Sequence, residues 1–309
     1  MITTVTLNPA LDRTVFVKSF EKGGHNRCEN SRVDLGGKGI NVSRVLHQMG
    51  IRQQALCLDR SESGSLLGDM LSELGIENVL CFAPGRIREN LKMYDPCDGT
   101  MTEINEQGCP VDGDAAQRFM GIFEEKLNET DVLALCGSIP PGMGEDLYRK
   151  MILQAREKKI CVVLDAAGEA LRLALDAKPD VIKPNRYEME LLSGKKIDSL
   201  QAAQALCEEI VRAGVGAVCL SLGEEGALYV DGREAWFSPP FRGEIRGLQG
   251  AGDSMTAGLC IARVHHDSPC DTLRRATALA HASIQLSGTQ LCTLPMYLDA
   301  LQNVSVSKL

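Results

Sequence analysis

The run Gly247-Leu248-Gln249-Gly250-Ala251-Gly252-Asp253-Ser254-Met255-Thr256-Ala257-Gly258 sets one carboxylate among small residues. Its glycines allow a tight turn with exposed backbone N–H groups and no Cβ in the way. Met255, Leu259, Ile261 and Ala262 give the next residues an apolar helical side. The N-terminus of that helix points back at the turn, and such an end is a ready anion site. Asp253 among those N–H groups can take a proton from an incoming hydroxyl. The same N–H groups would stabilise charge growing on a transferred phosphoryl group. An Asp that merely N-caps a helix after a glycine loop has the same local pattern, and on these residues alone that reading is the better one.

A second run, Gly36-Gly37-Lys38-Gly39-Ile40-Asn41, places three glycines around one cation. It allows close backbone approach to a ligand, or it is a turn with a solvated Lys. It is not a Walker A loop, because no Gly precedes Lys38 at the required distance and no Ser or Thr follows it. Ile182-Lys183-Pro184-Asn185-Arg186-Tyr187-Glu188 ends a strand and opens a helix. Asn185 and Glu188 have capping-box spacing. They also suit a hydrated Mg²⁺ near phosphates, since that ion takes oxygen ligands and keeps waters. Arg86, Arg88 and Lys92 gather cations on one hairpin, either to hold a phosphate or as a solvated strand edge. Asn8-Pro9-Ala10-Leu11-Asp12 follows the first strand, where open α/β sheets place ligand groups. Ser221-Leu222-Gly223 ends another strand, with Gly226 close behind. The five histidines form no triad and no metal spacing.

Short apolar β-branched runs alternate with helical ones along the chain. Strands are expected at 2–7, 55–58, 132–136, 162–165, 181–183, 217–222 and 227–230. Helices are expected at 42–49, 66–74, 145–158, 186–192 and 200–211, with two more starting near 253 and 269. The alternation implies an α/β fold with a mostly parallel central sheet covered by helices on both faces. Two stretches, 12–34 and 87–103, carry strand signals with no helix between them. They predict a small second sheet suited to a lid over a cleft, or else two surface hairpins.

The 309 residues are enough for one large α/β domain. Hydrophobic residues make up 44% and charged residues 24%, the ordinary balance of a globular protein. The net charge of -8 and the absence of a basic stripe argue against a nucleic-acid partner. An anionic ligand must therefore be held by a few placed cations. Twelve cysteines with no C-x-x-C pair read mostly as small buried hydrophobes in a reducing compartment. No window has the length and apolarity of a membrane span, so a cytoplasmic protein with no membrane partner is expected.

Taken together and in order, these segments resemble the ribokinase-like carbohydrate kinases. The nearest branch is that of the 1-phosphofructokinases and tagatose-6-phosphate kinases. The resemblance rests on residues 6–12, 36–42, 102–106, 137–142, 183–185, 221–223 and 250–254, and it spans nearly the whole chain. It implies one kinase domain over 1–309, with a lid formed by about 12–34 and 87–103 that often mediates a homodimer. It implies ATP as co-substrate, Mg²⁺, and a sugar-phosphate acceptor. Asp253 becomes the base, and Gly250, Ala251 and Gly252 the anion hole. Asp12, Gly37 and Asn41 hold sugar hydroxyls. Lys38, Arg88 and Lys92 lie near the substrate phosphate, with Asn90 at the expected spacing, and Glu103 and Ser138 line the same pocket. Lys183, Asn185 and Glu188 face the nucleotide phosphates and Mg²⁺, the metal being reached through water. Ser221, Gly223 and Gly226 border the nucleotide.

The implied reaction is ATP-dependent phosphorylation of fructose 1-phosphate, toward which Thr102-Glu103-Ile104-Asn105-Glu106 tilts the branch. The alternatives are tagatose 6-phosphate as acceptor, or an inactive sugar-phosphate sensor. Two departures stand out. Gln249 occupies a place where the family prefers a small apolar residue, in a stretch expected on the adenine side. Asp59-Arg60-Ser61-Glu62-Ser63-Gly64 replaces a glycine-rich segment that usually borders the sugar.

Overall fold

Runs such as Val132-Leu133-Ala134-Leu135-Cys136 have no polar alternation, so both of their faces must be covered. The computed structural model describes residues 1–60, 66–286, 288 and 290–309. Its first elements are β1 (Ile2–Thr6), β2 (Ala10–Phe16), β3 (Asn30–Gly36), α1 (Lys38–Gln48), β4 (Gln53–Asp59), α2 (Leu66–Glu73), β5 (Asn78–Phe82), β6 (Arg88–Asp95) and β7 (Thr100–Asn105). There follow α3 (Gly113–Lys126), β8 (Val132–Cys136), α4 (Leu147–Glu157), β9 (Cys161–Asp165), α5 (Gly168–Ala174), β10 (Val181–Ile182), α6 (Arg186–Ser193) and α7 (Leu200–Arg212). The chain closes with β11 (Ala217–Ser221), β12 (Ala227–Asp231), β13 (Ala235–Ser238), α8 (Ala251–His265), α9 (Pro269–Ser283), α10 (Leu294–Asn303) and β14 (Ser307–Lys308).

The large sheet has the order β14-β13-β12-β11-β10-β9-β8-β1-β4-β5. Pairing is parallel from β5 to β11 and antiparallel from β11 to β14. Every residue of β1, β4 and β8 is buried. One face packs on Phe119, Phe123, Tyr148 and Leu206 from α3, α4 and α7. The other packs on Val45, Leu46, Leu259 and Leu279 from α1, α8 and α9. This is the doubly covered α/β sheet expected from the alternating pattern. In such sheets the carboxyl ends of the strands carry the ligand groups.

The stretches that broke the alternation form a separate four-stranded sheet of order β3-β2-β6-β7. Its two hairpins are antiparallel, and β2 and β6 join them in parallel. Several elements escaped the periodic reading. The strands β5 and β14 are short edge pieces, and β13 is the short second arm of a hairpin with β12. The helices α3, α5 and α10 are equally new. Seven of the twelve cysteines are buried, as expected, but Cys28 and Cys97 are exposed on the connections of the small sheet. No helix among the described residues is long and apolar enough to cross a membrane.

Candidate active site

Asp253 does not cap its helix. The N-cap of α8 is Gly250, in the left-handed region at φ 74, and Asp253 lies inside the first turn. A side chain at Gly250 would also strike Leu291, with a Cβ only 2.6 Å from its Cδ2. A hydrogen bond of 2.8 Å runs from the Ser254 N–H to the Gly250 carbonyl. The N–H groups before it are those a helix start leaves unbonded. The cap reading of Asp253 therefore fails on geometry, and its carboxylate is left for another use.

Asp253 is 8% exposed. Its Oδ2 accepts a 2.8 Å hydrogen bond from Asn41 Nδ2 on α1. Burial, and then the charge of Asp165, push its pKa up to about 6 against the opposing pull of Lys38, Asn41 and Lys183. That value suits a group that must hold a proton and release it near neutral pH. The Asn41 amide is itself oriented, because Arg44 Nη1 donates to Asn41 Oδ1 at 3.2 Å. A guanidinium only donates, so Oδ1 faces Arg44 and the N–H₂ faces the carboxylate.

Asp165, at the end of β9, is the charge hub and was not singled out in the sequence. It is fully buried. Lys38 Nζ donates to its Oδ1 at 2.7 Å, and Thr256 Oγ1 donates to Oδ2 at 2.9 Å. Lys183 Nζ stands 3.2 Å from Oδ2. Burial alone would raise its pKa, but Lys183 and Lys38 outweigh burial and bring it down to about 2. Burial likewise works against charge on Lys38, yet Asp165 and then Glu188 hold its pKa well above the usual lysine range. A Cβ at Gly252 would lie 3.4 Å from Lys183 Nζ, which places this ammonium beside the helix start. The helix start and the ammonium groups of Lys38 and Lys183 thus gather around Asp165 at one corner.

Asp12, Asn90 and Lys92 form a second group on the small sheet. Asn90 Nδ2 donates to Asp12 Oδ1 at 2.8 Å, and Lys92 Nζ donates to Oδ2 at 2.7 Å. Parallel pairing of β2 and β6 sets Asp12 opposite Asn90. Gly36 makes room for this carboxylate, since a Cβ there would approach Asp12 Cγ to 2.6 Å. Glu103 stands opposite Lys92 on β7. Gly37, at φ 121, turns the chain from β3 into α1.

Gln249 corrects an expectation. Its side chain does not turn to an adenine side. Oε1 accepts from Lys92 Nζ at 3.2 Å, and Nε2 donates to Glu103 Oε1 at 3.1 Å. It belongs to the small-sheet group. The other departure is partly visible: Arg60 is buried and Nη2 donates to the Pro110 carbonyl at 2.8 Å. Residues 61–64 of that departure lie outside the described residues.

A cavity of ≈ 280 Å³ is lined by Thr6, Asn8, Lys38, Arg88, Ser138 and Glu188, among others. Asn8 Nδ2 donates to Ser138 Oγ at 3.0 Å, and Arg88 Nε donates to the Asn8 carbonyl at 3.1 Å. Asp253 is outside this lining, and Lys38 links the two through Asp165. Arg86 is drawn away from it, being paired with Glu106 on the surface. Asn185 N-caps α6 in a complete capping box with Glu188. Asn185 also bridges to Ser221 on the neighbouring strand end. Gly223 and Gly226 bound the turn after β11, at φ 62 and φ 101. Their segment meets the rest of the site through that bridge.

The pfkB family carbohydrate kinase profile matches residues 5–296. A 1-phosphofructokinase of Rhodobacter capsulatus is 35% identical, over 94% of this chain and 92% of its own. A 1-phosphofructokinase of Bacillus subtilis (strain 168) is 33% identical over the full length of both. In three dimensions the chain is similar to phosphofructokinase-2 from Escherichia coli solved with potassium, at a TM-score of 0.91, 26% identity and 98% coverage of both chains. These likenesses run across both sheets and every segment of the site just described, and the chain belongs to the pfkB family of carbohydrate kinases.

Proposed function

We propose that this kinase transfers the γ-phosphoryl group of ATP to the C6 hydroxyl of fructose 1-phosphate, giving fructose 1,6-bisphosphate and ADP. The observation that carries the reading is Asp253, a buried carboxylate with a pKa of about 6 beside a helix start and two lysines. The relatives named 1-phosphofructokinase supply the acceptor.

The hydroxyl proton passes to Asp253 as the oxygen bonds to the γ phosphorus. The bond from phosphorus to the β–γ bridging oxygen breaks, and its electron pair leaves with ADP. The protein's part is alignment, charge neutralisation and a base. Backbone N–H groups of Gly250, Ala251 and Gly252, with Lys183 beside them, face the charge on the moving group. Asp12, Gly37 and Asn41 hold sugar hydroxyls. Lys38, Arg88 and Lys92, with Asn90, Glu103 and Ser138, line the phosphate end. Lys183, Asn185, Ser221, Gly223 and Gly226 border the nucleotide. The intact set of base, cations and helix start favours turnover over a binding-only sensor.

No group of three or more His, Cys, Asp or Glu among the described residues makes a metal cage. Asn185 and Glu188 offer oxygen donors, which would suit a hydrated Mg²⁺ carried on nucleotide phosphates. Glu188 would hold it through water with the carboxylate oxygen that the capping box leaves free. Asn185 Oδ1 already accepts from the Glu188 N–H, so its main part is the cap. When bound, the ion offsets phosphate charge.

The chain 1–309 acts as one kinase unit with the small sheet as its lid. Exposed Val33, Met101 and Ile104 on that sheet fit a homodimer formed through it.

Arg88→Met tests the phosphate end. The KM for fructose 1-phosphate should rise at least about tenfold, with the KM for ATP changed by less than about twofold. Equal losses on fructose 1-phosphate and on unphosphorylated fructose would contradict the reading. Arg44→Met tests the base. Freed from Arg44, the Asn41 amide can turn its oxygen to Asp253, which raises the carboxyl pKa. The acid limb of kcat/KM should move from about pH 6 upward by roughly one unit, and Arg44→Lys should restore most of it. An unmoved limb in Arg44→Met would remove the orienting role.

A further inference from the structure

Gln249 is the residue that joins the turn of the helix start to the small sheet by hydrogen bonds at both ends of its amide. Its carbonyl accepts from Lys92 and its N–H₂ donates to Glu103, at 3.2 and 3.1 Å. Those two partners stand directly opposite each other on β6 and β7. One neutral side chain thus spans a cation and an anion across two strands. The next residue in the chain, Gly250, begins the N–H cradle of α8.

The bond to Lys92 has a geometric consequence. An ammonium has three donors in a fixed tripod. One goes to Asp12 Oδ2 at 2.7 Å and one to Gln249 Oε1. With two bonds made, rotation about the last side-chain bond is fixed, and the third N–H has a set direction. Lys92 is 7% exposed, so water is a poor substitute for either partner. An apolar residue at 249 would leave the ammonium free to turn about its bond to Asp12. It would also leave Glu103 with no tie to the catalytic turn.

We propose that Gln249 is a specificity-determining residue for the acceptor: it aims Lys92 at the phosphate of a phosphorylated sugar and fastens the β7 strand over it. The ligand class is a ketose phosphate, so the inference rests on the function proposed above and assigns Gln249 to the sugar side. The nucleotide side has no part in it.

Steady-state kinetics on Gln249→Val and Gln249→Glu, with both substrates varied, provide the test. Gln249→Val should raise the KM for the sugar phosphate about tenfold, with the KM for ATP within about twofold of wild type. Gln249→Glu sets a carboxylate against Glu103 and should raise it further. Adding Glu103→Gln to Gln249→Glu restores one donor and one acceptor across the gap, and should recover most of the loss. A general packing role predicts no such recovery. An unchanged sugar-phosphate KM, a rise confined to ATP, or a double variant no better than Gln249→Glu would each overturn the proposal. A wild-type enzyme that prefers an unphosphorylated sugar would instead defeat the functional reading, before any variant is compared.

Discussion

Asp253→Asn is expected to lower kcat by about 10³-fold or more, while sugar-phosphate affinity changes by less than about threefold. The substitution also separates two roles cleanly, because Asn caps a helix as well as Asp does. If Asp253 served the helix alone, the variant would turn over like the wild type. Stability adds a second readout. The folded pKa lies near 6, above the ordinary 3.8, so the fold favours the protonated form. The associated stabilisation is complete below the unfolded pKa and is lost as the pH rises through about 6. Ionised Asp253 therefore burdens the native state at neutral pH, and Asn removes that burden. The melting temperature of Asp253→Asn should exceed that of wild type at pH 8, with the gap shrinking toward pH 5. An active site that stores such a cost is a common exchange of stability for activity.

Asp165→Asn carries the second large effect, and its sign on stability is the reverse. Asp165 has a pKa of about 2, so its contribution is present above the unfolded value and lost as the pH falls through about 2. Its removal takes away the one carboxylate that Lys38 and Lys183 both contact. Lys183 is 4% exposed, so solvent cannot screen it. Losing one partner from a buried ionic group costs about 3–5 kcal/mol, which lowers the melting temperature by on the order of 10 °C. The charge of Asp165 also helps to raise Asp253. In the folded fraction of the variant the acid limb of kcat/KM should therefore move below pH 6. Thermal melts and a pH profile check both signs, and a limb that moves upward would contradict the electrostatic account.

Asp165 shows what was hard to read from the chain. It ends an apolar strand and is followed by Ala166-Ala167, with no motif around it. Its partners Lys38 and Thr256 lie 127 and 91 residues away. The available signal was positional: a lone carboxylate at the carboxyl end of a parallel strand, where α/β folds place ligand groups. Gln249 was misplaced for a related reason. Its neighbours Gly250 and Asp253 tie it to the catalytic turn, but its own direction depends on Lys92 and Glu103 from another sheet. Arg44 sat unmarked on a helical face, because its role exists only through Asn41.

Other parts were legible. Alternating apolar runs located the central sheet because complete burial leaves little choice of residue type. The stretches around Thr14-Val15-Phe16-Val17 and Leu91-Lys92-Met93-Tyr94 stood out by lacking a helix between strands. Asn185 and Glu188 carried their capping box in their spacing, and the box forms. Least legible were β13 and β14, four and two residues long, which exist by pairing with one another and with β12.

The most direct test of the central claim is ADP release, at matched acceptor concentrations, for fructose 1-phosphate, tagatose 6-phosphate, fructose 6-phosphate and ribose. The account predicts the highest kcat/KM for fructose 1-phosphate, exceeding that for ribose by at least about 10²-fold. A preference for ribose, or ADP release that does not depend on any phosphorylated acceptor, would contradict it.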